Sequence, residues 1–261
     1  MEESVRRSLG RSFGRTAADY ERSRPDYPQA AADWLLAGLD DSPRSRAGWP
    51  PTVVELAAGT GKFTRSLVAA GHDDVIAVEP AQPMLDRLVR AVPEALAVRG
   101  VAERIPLADS SADAVLVAQA FHWFDTEPSL AEIARVLRPG GMFGLVWNYR
   151  DESVPWVRQL SRLLGSDRPQ PRHAEELIEK LEWSRLFTPP KRTTFRMWQQ
   201  LDRQSLVRLV ASRSYVSTMS PADREELLFN VGQLFDVTAR QPDGLLLPYT
   251  TICYRAGVRK W

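Results

Sequence analysis

The stretch Glu55-Leu56-Ala57-Ala58-Gly59-Thr60-Gly61-Lys62-Phe63 puts a carboxylate, two glycines and a lysine close together, after an apolar run and before a helix-patterned segment. Glycines allow a sharp strand-to-helix turn and let a ligand approach the backbone closely. The N–H groups at the start of the following helix have no partner within that helix. Glu79 closes a second apolar run, where an acidic side chain can hold ribose hydroxyls. Two phosphate-binding readings of the turn fit badly. A Walker loop needs glycine where Leu56 stands and Ser or Thr where Phe63 stands, and a dinucleotide fingerprint needs glycine or alanine where Thr64 stands. A nicotinamide-dependent oxidoreductase therefore remains an alternative, as does a turn that binds nothing.

Other residues carry chemistry in principle. His122, in Phe121-His122-Trp123-Phe124-Asp125, is the candidate catalytic residue: a general base for a hydroxyl or amine, or equally a neutral ring lining a pocket. Arg213 and Tyr215 lie in a helical region. A solvated arginine is the first reading there, a clamp on a substrate carboxylate the second. His72 follows a glycine and is expected to face solvent. Cys253 is expected to be buried and inert.

The elements that must position these groups follow from periodicity. Apolar runs at 52–56 and 75–79 read as buried strands, and 96–99, 114–118 and 142–147 as a third, fourth and fifth strand. Helical patterns at 63–70, 84–92 and 129–137 alternate with them. This is a parallel α/β pattern with helices on both faces of the sheet, and its ligands are expected beyond the carboxyl ends of the strands, after Leu56, Glu79, Arg99 and Ala118. From 151 to 246 the alternation fades into amphipathic helices at 154–164, 173–181, 202–212 and 222–235, with a strand at 192–198. Residues 246–258 are β-rich. The expected organisation is an N-terminal segment (1–50) covering the site, a Rossmann-like core (51–150), a mainly helical cap (151–246) and a C-terminal strand (247–261) returning to the sheet.

Composition narrows the function classes. The 261 residues are 44% hydrophobic and 26% charged, with a formal net charge of +1, so no strong field favours nucleic acid or an anionic membrane. One cysteine excludes an intrachain disulfide, and His72, His122 and His173 lack ligand spacing, so no metal is expected. No apolar run approaches membrane-span length. The Arg- and Ser-rich N-terminus also carries Glu2, Glu3, Asp19 and Glu21 and lacks an apolar core, so it reads as a structured segment and not a cleaved leader. A cytoplasmic protein acting on a small molecule is the expectation, with oligomeric state open.

Three further blocks, Gly100-Val101-Ala102-Glu103-Arg104-Ile105-Pro106-Leu107, Asp113 to Ala120, and Arg135-Val136-Leu137-Arg138-Pro139-Gly140-Gly141, follow the glycine turn in order. Together they resemble the post-strand motifs of class I S-adenosylmethionine (SAM)-dependent methyltransferases. The segments Phe13-Gly14-Arg15, Asp19 to Pro28, and Phe121 to Asp125 are similar to the trans-aconitate methyltransferase-like branch, as are Leu247-Pro248-Tyr249 and Tyr254-Arg255. The resemblance implies a seven-stranded, mostly parallel Rossmann-like sheet, SAM as methyl donor with S-adenosylhomocysteine as product, and a small-molecule acceptor such as a carboxylic acid or a secondary metabolite. A SAM-fold protein without turnover is the further alternative. The resemblance also implies roles. Glu55 lies near the methionine ammonium, and Gly59 and Gly61 pass beside the cofactor. Glu79 bonds the ribose, Ala102 N–H and Glu103 meet adenine, and Gln119 sits near the sulfonium. Tyr20 and Tyr27 close over the site. Two positions depart from the pattern. Ala57 replaces the first glycine of the turn, so negative φ is expected there. Val101 replaces an aspartate that meets the adenine amino group, leaving adenine to Glu103 and backbone.

Overall fold

The computed structural model describes residues 21, 23–39, 41, 43–165, 171–213, 215–239 and 243–260. Seven strands form one sheet: β1 (Val53–Leu56), β2 (Val75–Glu79), β3 (Leu96–Arg99), β4 (Ala112–Ala118), β5 (Leu137–Arg150), β6 (Lys191–Leu201) and β7 (Leu245–Gly257), in the order β3-β2-β1-β4-β5-β7-β6. The first five pair in parallel. β7 runs against β5, because Val258 N bonds Gly141 O and Asp151 N bonds Pro248 O, so partners rise on one strand as they fall on the other. The strand order reverses between β1 and β4, which makes their carboxyl ends the switch point of the sheet.

By contacts the chain divides into two compact units. One comprises 26–148, 169–195 and 251–261, the other 1–25, 149–168 and 196–250. The division falls inside the long strands β5, β6 and β7.

In the first unit the longer helices are α1 (Gln29–Leu36), α2 (Lys62–Ala69), α3 (Gln82–Ala91), α4 (Thr126–Val136) and, after α5 (Pro155–Leu163) of the other unit, α6 (Pro171–Trp183). β1 is buried at all four positions, and β2 at all five, which is why both read as unbroken apolar runs. α2 turns Phe63 and Leu67, one helical turn apart, into a core that also holds Ala31, Ala32, Leu35, Val53, Leu116, Val146 and Cys253. Each fully buried side chain of Phe63 or Leu67 size stabilises by about 1.5–3 kcal/mol. α1 packs closely over the sheet: a Cβ at Gly144 would lie 2.9 Å from Leu35 Cδ2. α3 carries Pro83 in its first turn and buries Met84, Leu85 and Leu88. β5 begins at Leu137, five residues before the expected strand, because Arg138-Pro139-Gly140-Gly141 pairs through a register shift opposite Ala112 and Ala114. Arg138 Nη1 reaches Asp113 Oδ2 at 2.6 Å, and the same oxygen accepts Thr52 N–H at 2.8 Å, so the block is a clasp at the amino ends of β1, β4 and β5.

In the second unit α5 (Pro155–Leu163), α7 (Arg203–Ala211) and α8 (Pro221–Thr238) enclose a core of Val157, Leu160, Leu206, Leu209, Val231, Leu234 and Tyr249. Asp202 caps α7: its Oδ1 accepts Ser205 N–H at 2.6 Å while Ser205 Oγ receives Asp202 N–H at 2.9 Å.

Two exposure readings are corrected here. His72 is buried, under the turn that follows α2. Arg213 is half-buried and not solvated.

Candidate functional site

The site forms where β1, β2 and β4 end. After Leu56 the chain turns through three left-handed residues, Ala57 (φ 53°), Gly59 (φ 58°) and Gly61 (φ 86°), before α2 begins at Lys62. The negative φ expected at Ala57 is corrected. Ala58 N must turn back to bond Val78 O at 3.2 Å, and that return demands a left-handed residue just before it. The alanine accepts a conformation that normally favours glycine, at about 1–2 kcal/mol. Thr60 lies buried in the turn, and its Oγ1 has no hydrogen-bond partner among the described residues.

Glu79 stands at the end of β2 and reaches across to this turn. Its Oε2 accepts Gly59 N–H at 2.9 Å and its Oε1 accepts Ala81 N–H at 2.9 Å. Burial pushes its carboxyl up from the usual range, and the two N–H bonds pull it back in part. Each oxygen keeps a second acceptor position. Glu55 is fully buried inside β1, and Thr64 Oγ1 donates to its Oε2 at 2.5 Å. Desolvation raises the Glu55 carboxyl to about 8, against the lowering effect of the Thr64 hydroxyl; nearby Glu79 raises it further. The residue that spoils the dinucleotide fingerprint, Thr64, thus has a structural reason to be there.

Beyond β3, Ala102 is buried and Glu103 Oε1 accepts Asp125 N–H at 2.9 Å, tying the loop to the start of α4. Beyond β4, Gln119 is left-handed (φ 58°). Its N–H bonds Val146 O at 2.9 Å and its Nε2 donates to Asn148 O at 3.1 Å. His122 and Trp123 follow in a 3-10 turn, their ring centroids 4.8 Å apart.

Sequence reasoning missed Asn148 and Asp26. Asn148 Oδ1 accepts Thr251 Oγ1–H at 2.6 Å, while its Nδ2 donates to Asp26 O at 3.0 Å. The Asp26 carboxylate pairs with Lys62 Nζ at 2.7 Å. A chain of polar contacts therefore runs from Gln119 through Asn148 and Asp26 to the lysine of the glycine turn. Tyr27 lies beside this chain with its ring edge-on to Phe63, centroids 4.9 Å apart. Tyr20 lies outside the described residues. The structure brings Gly59, Gly61 and Glu79 together directly. Glu55 sits beneath them, and Ala102, Glu103, Gln119 and His122 stand on the loops after β3 and β4. No group of three or more metal-ligating side chains occurs among the described residues. Nor is any described helix long and apolar enough to cross a membrane.

Residues 54–145 match the family model described as a methyltransferase domain. An uncharacterized methyltransferase of Mycobacterium tuberculosis is 45% identical over 253 residues, covering 96% of this chain and 97% of its own length. The chain belongs to the methyltransferase family. An uncharacterized methyltransferase of Schizosaccharomyces pombe is 36% identical, with 89% of this chain and 90% of that protein covered. Among solved structures, a proposed type II methyltransferase from Anaeromyxobacter dehalogenans superposes with a TM-score of 0.62 at 24% identity, over 90% of this chain and 97% of that one, and shows the shared fold. Family membership displaces the nicotinamide-dependent alternative.

Proposed function

We propose that this methyltransferase draws its methyl group from S-adenosylmethionine, bound over the glycine turn, and passes it to a small-molecule acceptor. The observation that carries the reading is Glu79. Its carboxylate is fixed by one N–H from the turn and one from the residue after β2, with an acceptor position left on each oxygen for a pair of ribose hydroxyls. Two further observations support the fit. Thr60 Oγ1 is buried without a partner among the described residues, and Gly59 and Gly61 leave the turn without side chains. Glu55 lies beneath the turn, where an arriving ammonium group would lower its raised pKa and turn the carboxyl into a counter-charge. Ala102 and Glu103 stand where adenine would lie, and Gln119 stands at the end of β4, toward the reacting atoms.

Bound S-adenosylmethionine supplies an electrophilic methyl carbon. The chain's own residues align the acceptor and exclude water. A carboxylate acceptor needs no base. A hydroxyl or amine acceptor gives up its proton to His122. A malonyl-[acyl-carrier protein] O-methyltransferase of Methylococcus capsulatus is 37% identical over 142 residues, 52% of this chain and 50% of that protein, which favours oxygen as the methylated atom. The trans-aconitate-like branch rests on the flanking segments alone and belongs to the same proposal.

S-adenosylhomocysteine at about 100 times its dissociation constant should stabilise the protein by ~2.7 kcal/mol, a rise of several degrees in melting temperature. Glu79→Ala should remove most of that rise. A rise with NADH and none with S-adenosylhomocysteine would overturn the reading.

A further inference from the structure

The block Arg135-Val136-Leu137-Arg138-Pro139-Gly140-Gly141 carries two arginines, and the structure gives them different tasks. Arg138 closes the clasp at the amino ends of the strands, through Asp113. Arg135, near the end of α4, turns its guanidinium to the connection between β3 and β4 instead. Its Nη1 donates to Leu107 O at 2.9 Å and to Asp109 Oδ1 at 2.7 Å. Its Nη2 donates to Ile105 O at 2.9 Å and to Glu132 Oε2 at 2.8 Å, and its Nε donates to Glu132 Oε1 at 2.7 Å. All the donors of the planar fork are thereby used. Glu132 completes the grip, because its Oε2 also accepts Ile105 N–H at 2.8 Å. The hydrogen bonds from Arg135 are the main reason the Glu132 carboxyl lies below its usual range. The Ile105 N–H and the charge of Arg104 act the same way, against partial burial.

What this grip holds leads back to Glu79. Ile105 and Leu107 flank Pro106, and Leu107 N–H bonds Ile105 O at 2.8 Å, so the three residues form one tight turn. Pro106 rests on Gly100: a Cβ there would lie 2.7 Å from Pro106 Cδ, 2.8 Å from its Cγ and 3.0 Å from Val78 Cγ1. Gly100 N–H in turn bonds Glu79 O at 3.4 Å. Between Gly100 and Ile105 the chain doubles back through a bridge of Val101 with Arg104, which encloses Ala102 and Glu103. Glu103 is tied to the same helix at its other end, by Asp125 N–H. Residues 100–109 otherwise form neither helix nor strand, so α4 supplies the frame that the connection lacks. Close packing transmits displacement. A shift of the turn at 105–107 therefore moves Gly100, and with it the backbone between Glu79 and Ala102.

We propose that Arg135 and Glu132 are positioning residues for the methyl donor: by holding residues 100–106 in place against Glu79, they let the ribose and adenine partners meet the adenosine half of the donor together. The proposal rests on the reading of the glycine turn as an S-adenosylmethionine site. A loop already held in its binding conformation does not have to be ordered when the ligand arrives, and affinity rises accordingly. The two arginines of the block thus separate by function. Arg138 secures the amino edge of the sheet, and Arg135 acts on binding at the carboxyl edge.

Isothermal titration of the full-length protein with S-adenosylhomocysteine tests this, run well below the melting temperature of every variant. Arg135→Met and Glu132→Gln should each weaken binding by roughly ten- to a hundredfold, the scale of a small misplacement in a bound geometry. Arg135→Lys keeps the charge but loses the fork, and should fall with them. The double variant Glu132→Gln/Arg135→Met should bind no more weakly than the worse single variant, because the two side chains act as one unit. Arg138→Gln breaks the clasp at the opposite edge. It should melt lower and still bind S-adenosylhomocysteine as tightly as the wild type. If Arg135→Met fails to fold, Glu132→Gln carries the test, since it keeps an oxygen for Ile105 N–H and only turns an amide N–H toward Arg135. Wild-type affinity in Glu132→Gln, or an equal loss in Arg138→Gln, would overturn the positioning role while the cofactor reading stands. Absence of binding to the wild type would instead sink the cofactor reading, and the positioning role with it.

Discussion

Replacing Glu55 by glutamine tests the electrostatics of the site most directly. The carboxyl is fully buried in β1 and its pKa is raised from 4.5 to about 8, chiefly by desolvation. Below pH 4.5 the folded and unfolded chains both hold the proton, and the group carries no penalty. Between 4.5 and about 8 the unfolded chain has released the proton while the folded chain keeps it, so each pH unit removes about 1.4 kcal/mol of stability. Above 8 the penalty is constant. Across the whole window it amounts to roughly 5 kcal/mol at about 1.36 kcal/mol per pKa unit. Glutamine keeps the shape and a partner for Thr64 but cannot ionise. The expected outcome is a crossover. At pH 5, Glu55→Gln is equal to the wild type or weaker by about 1 kcal/mol, the worth of one altered hydrogen bond. By pH 8 it is more stable by several kcal/mol. Urea denaturation of both proteins at pH 5, 6, 7 and 8 measures this, and the difference between them cancels every group they share. A difference that stays flat across that range would show that Glu55 ionises freely in the folded protein, and the account of its burial would be wrong.

Two backbone substitutions in the same turn should move in opposite directions. Ala57→Gly relieves a left-handed alanine, worth about 1–2 kcal/mol, against about 0.5–1 kcal/mol of extra chain entropy, so urea unfolding should show a gain of up to about 1 kcal/mol; a clear loss would contradict the observed φ of 53°. Gly61→Ala keeps a φ of 86° and places a Cβ 3.1 Å from both Leu88 Cγ and Val92 Cγ2. It should cost about 1–3 kcal/mol by the same measurement, and an unchanged midpoint would show that α3 yields freely.

The buried strands were legible because a parallel sheet covered on both faces leaves an unbroken apolar signature: 75–79 emerges at the observed bounds and 52–56 begins one residue early, while 96–99 also matches in bounds but is a partly exposed edge strand; the helices from 62 onward fall within a few residues of the periodic patterns. The start of β5 was hidden, because Pro139-Gly140-Gly141 carries the local signal of a break while tertiary pairing with β4 holds it in the sheet. Glu79 was legible from its place after an apolar run. The Thr64–Glu55 bond was not, since local spacing says nothing about which side chains face each other across a strand–helix turn. Asn148, Asp26 and the surroundings of Arg213 escaped for a stronger reason. Their partners lie far away in sequence, and an isolated arginine in a helical region looks solvated until the fold brings two more beside it. Arg213 shows the limit well: the reading of its own neighbourhood was sound, and what overturned it came from residues 24, 150 and 249.

The positive-φ residues show how such features should be weighed. Among the described residues, three that are not glycine adopt this conformation: Ala57, Ser110 and Gln119. Ser110 lies just before β4, at the amino edge of the sheet, where its N–H bonds Arg135 O at 2.9 Å and Lys260 Nζ reaches its Oγ at 3.1 Å; it serves a packed corner. Ala57 and Gln119 each follow directly on the last residue of a strand, and those strands, β1 and β4, are neighbours at the reversal of strand order. Strain by itself therefore marks nothing, since the same conformation occurs at both edges. Its meaning comes from position. At the carboxyl edge two adjacent strands break off sharply together, each at a cost of about 1–2 kcal/mol, and each break is held by a bond to a neighbouring strand, Ala58 N to Val78 O and Gln119 N to Val146 O. A smooth continuation of either strand would close the switch point, so the paired strain is what keeps the carboxyl edge open above Glu55 and Glu79.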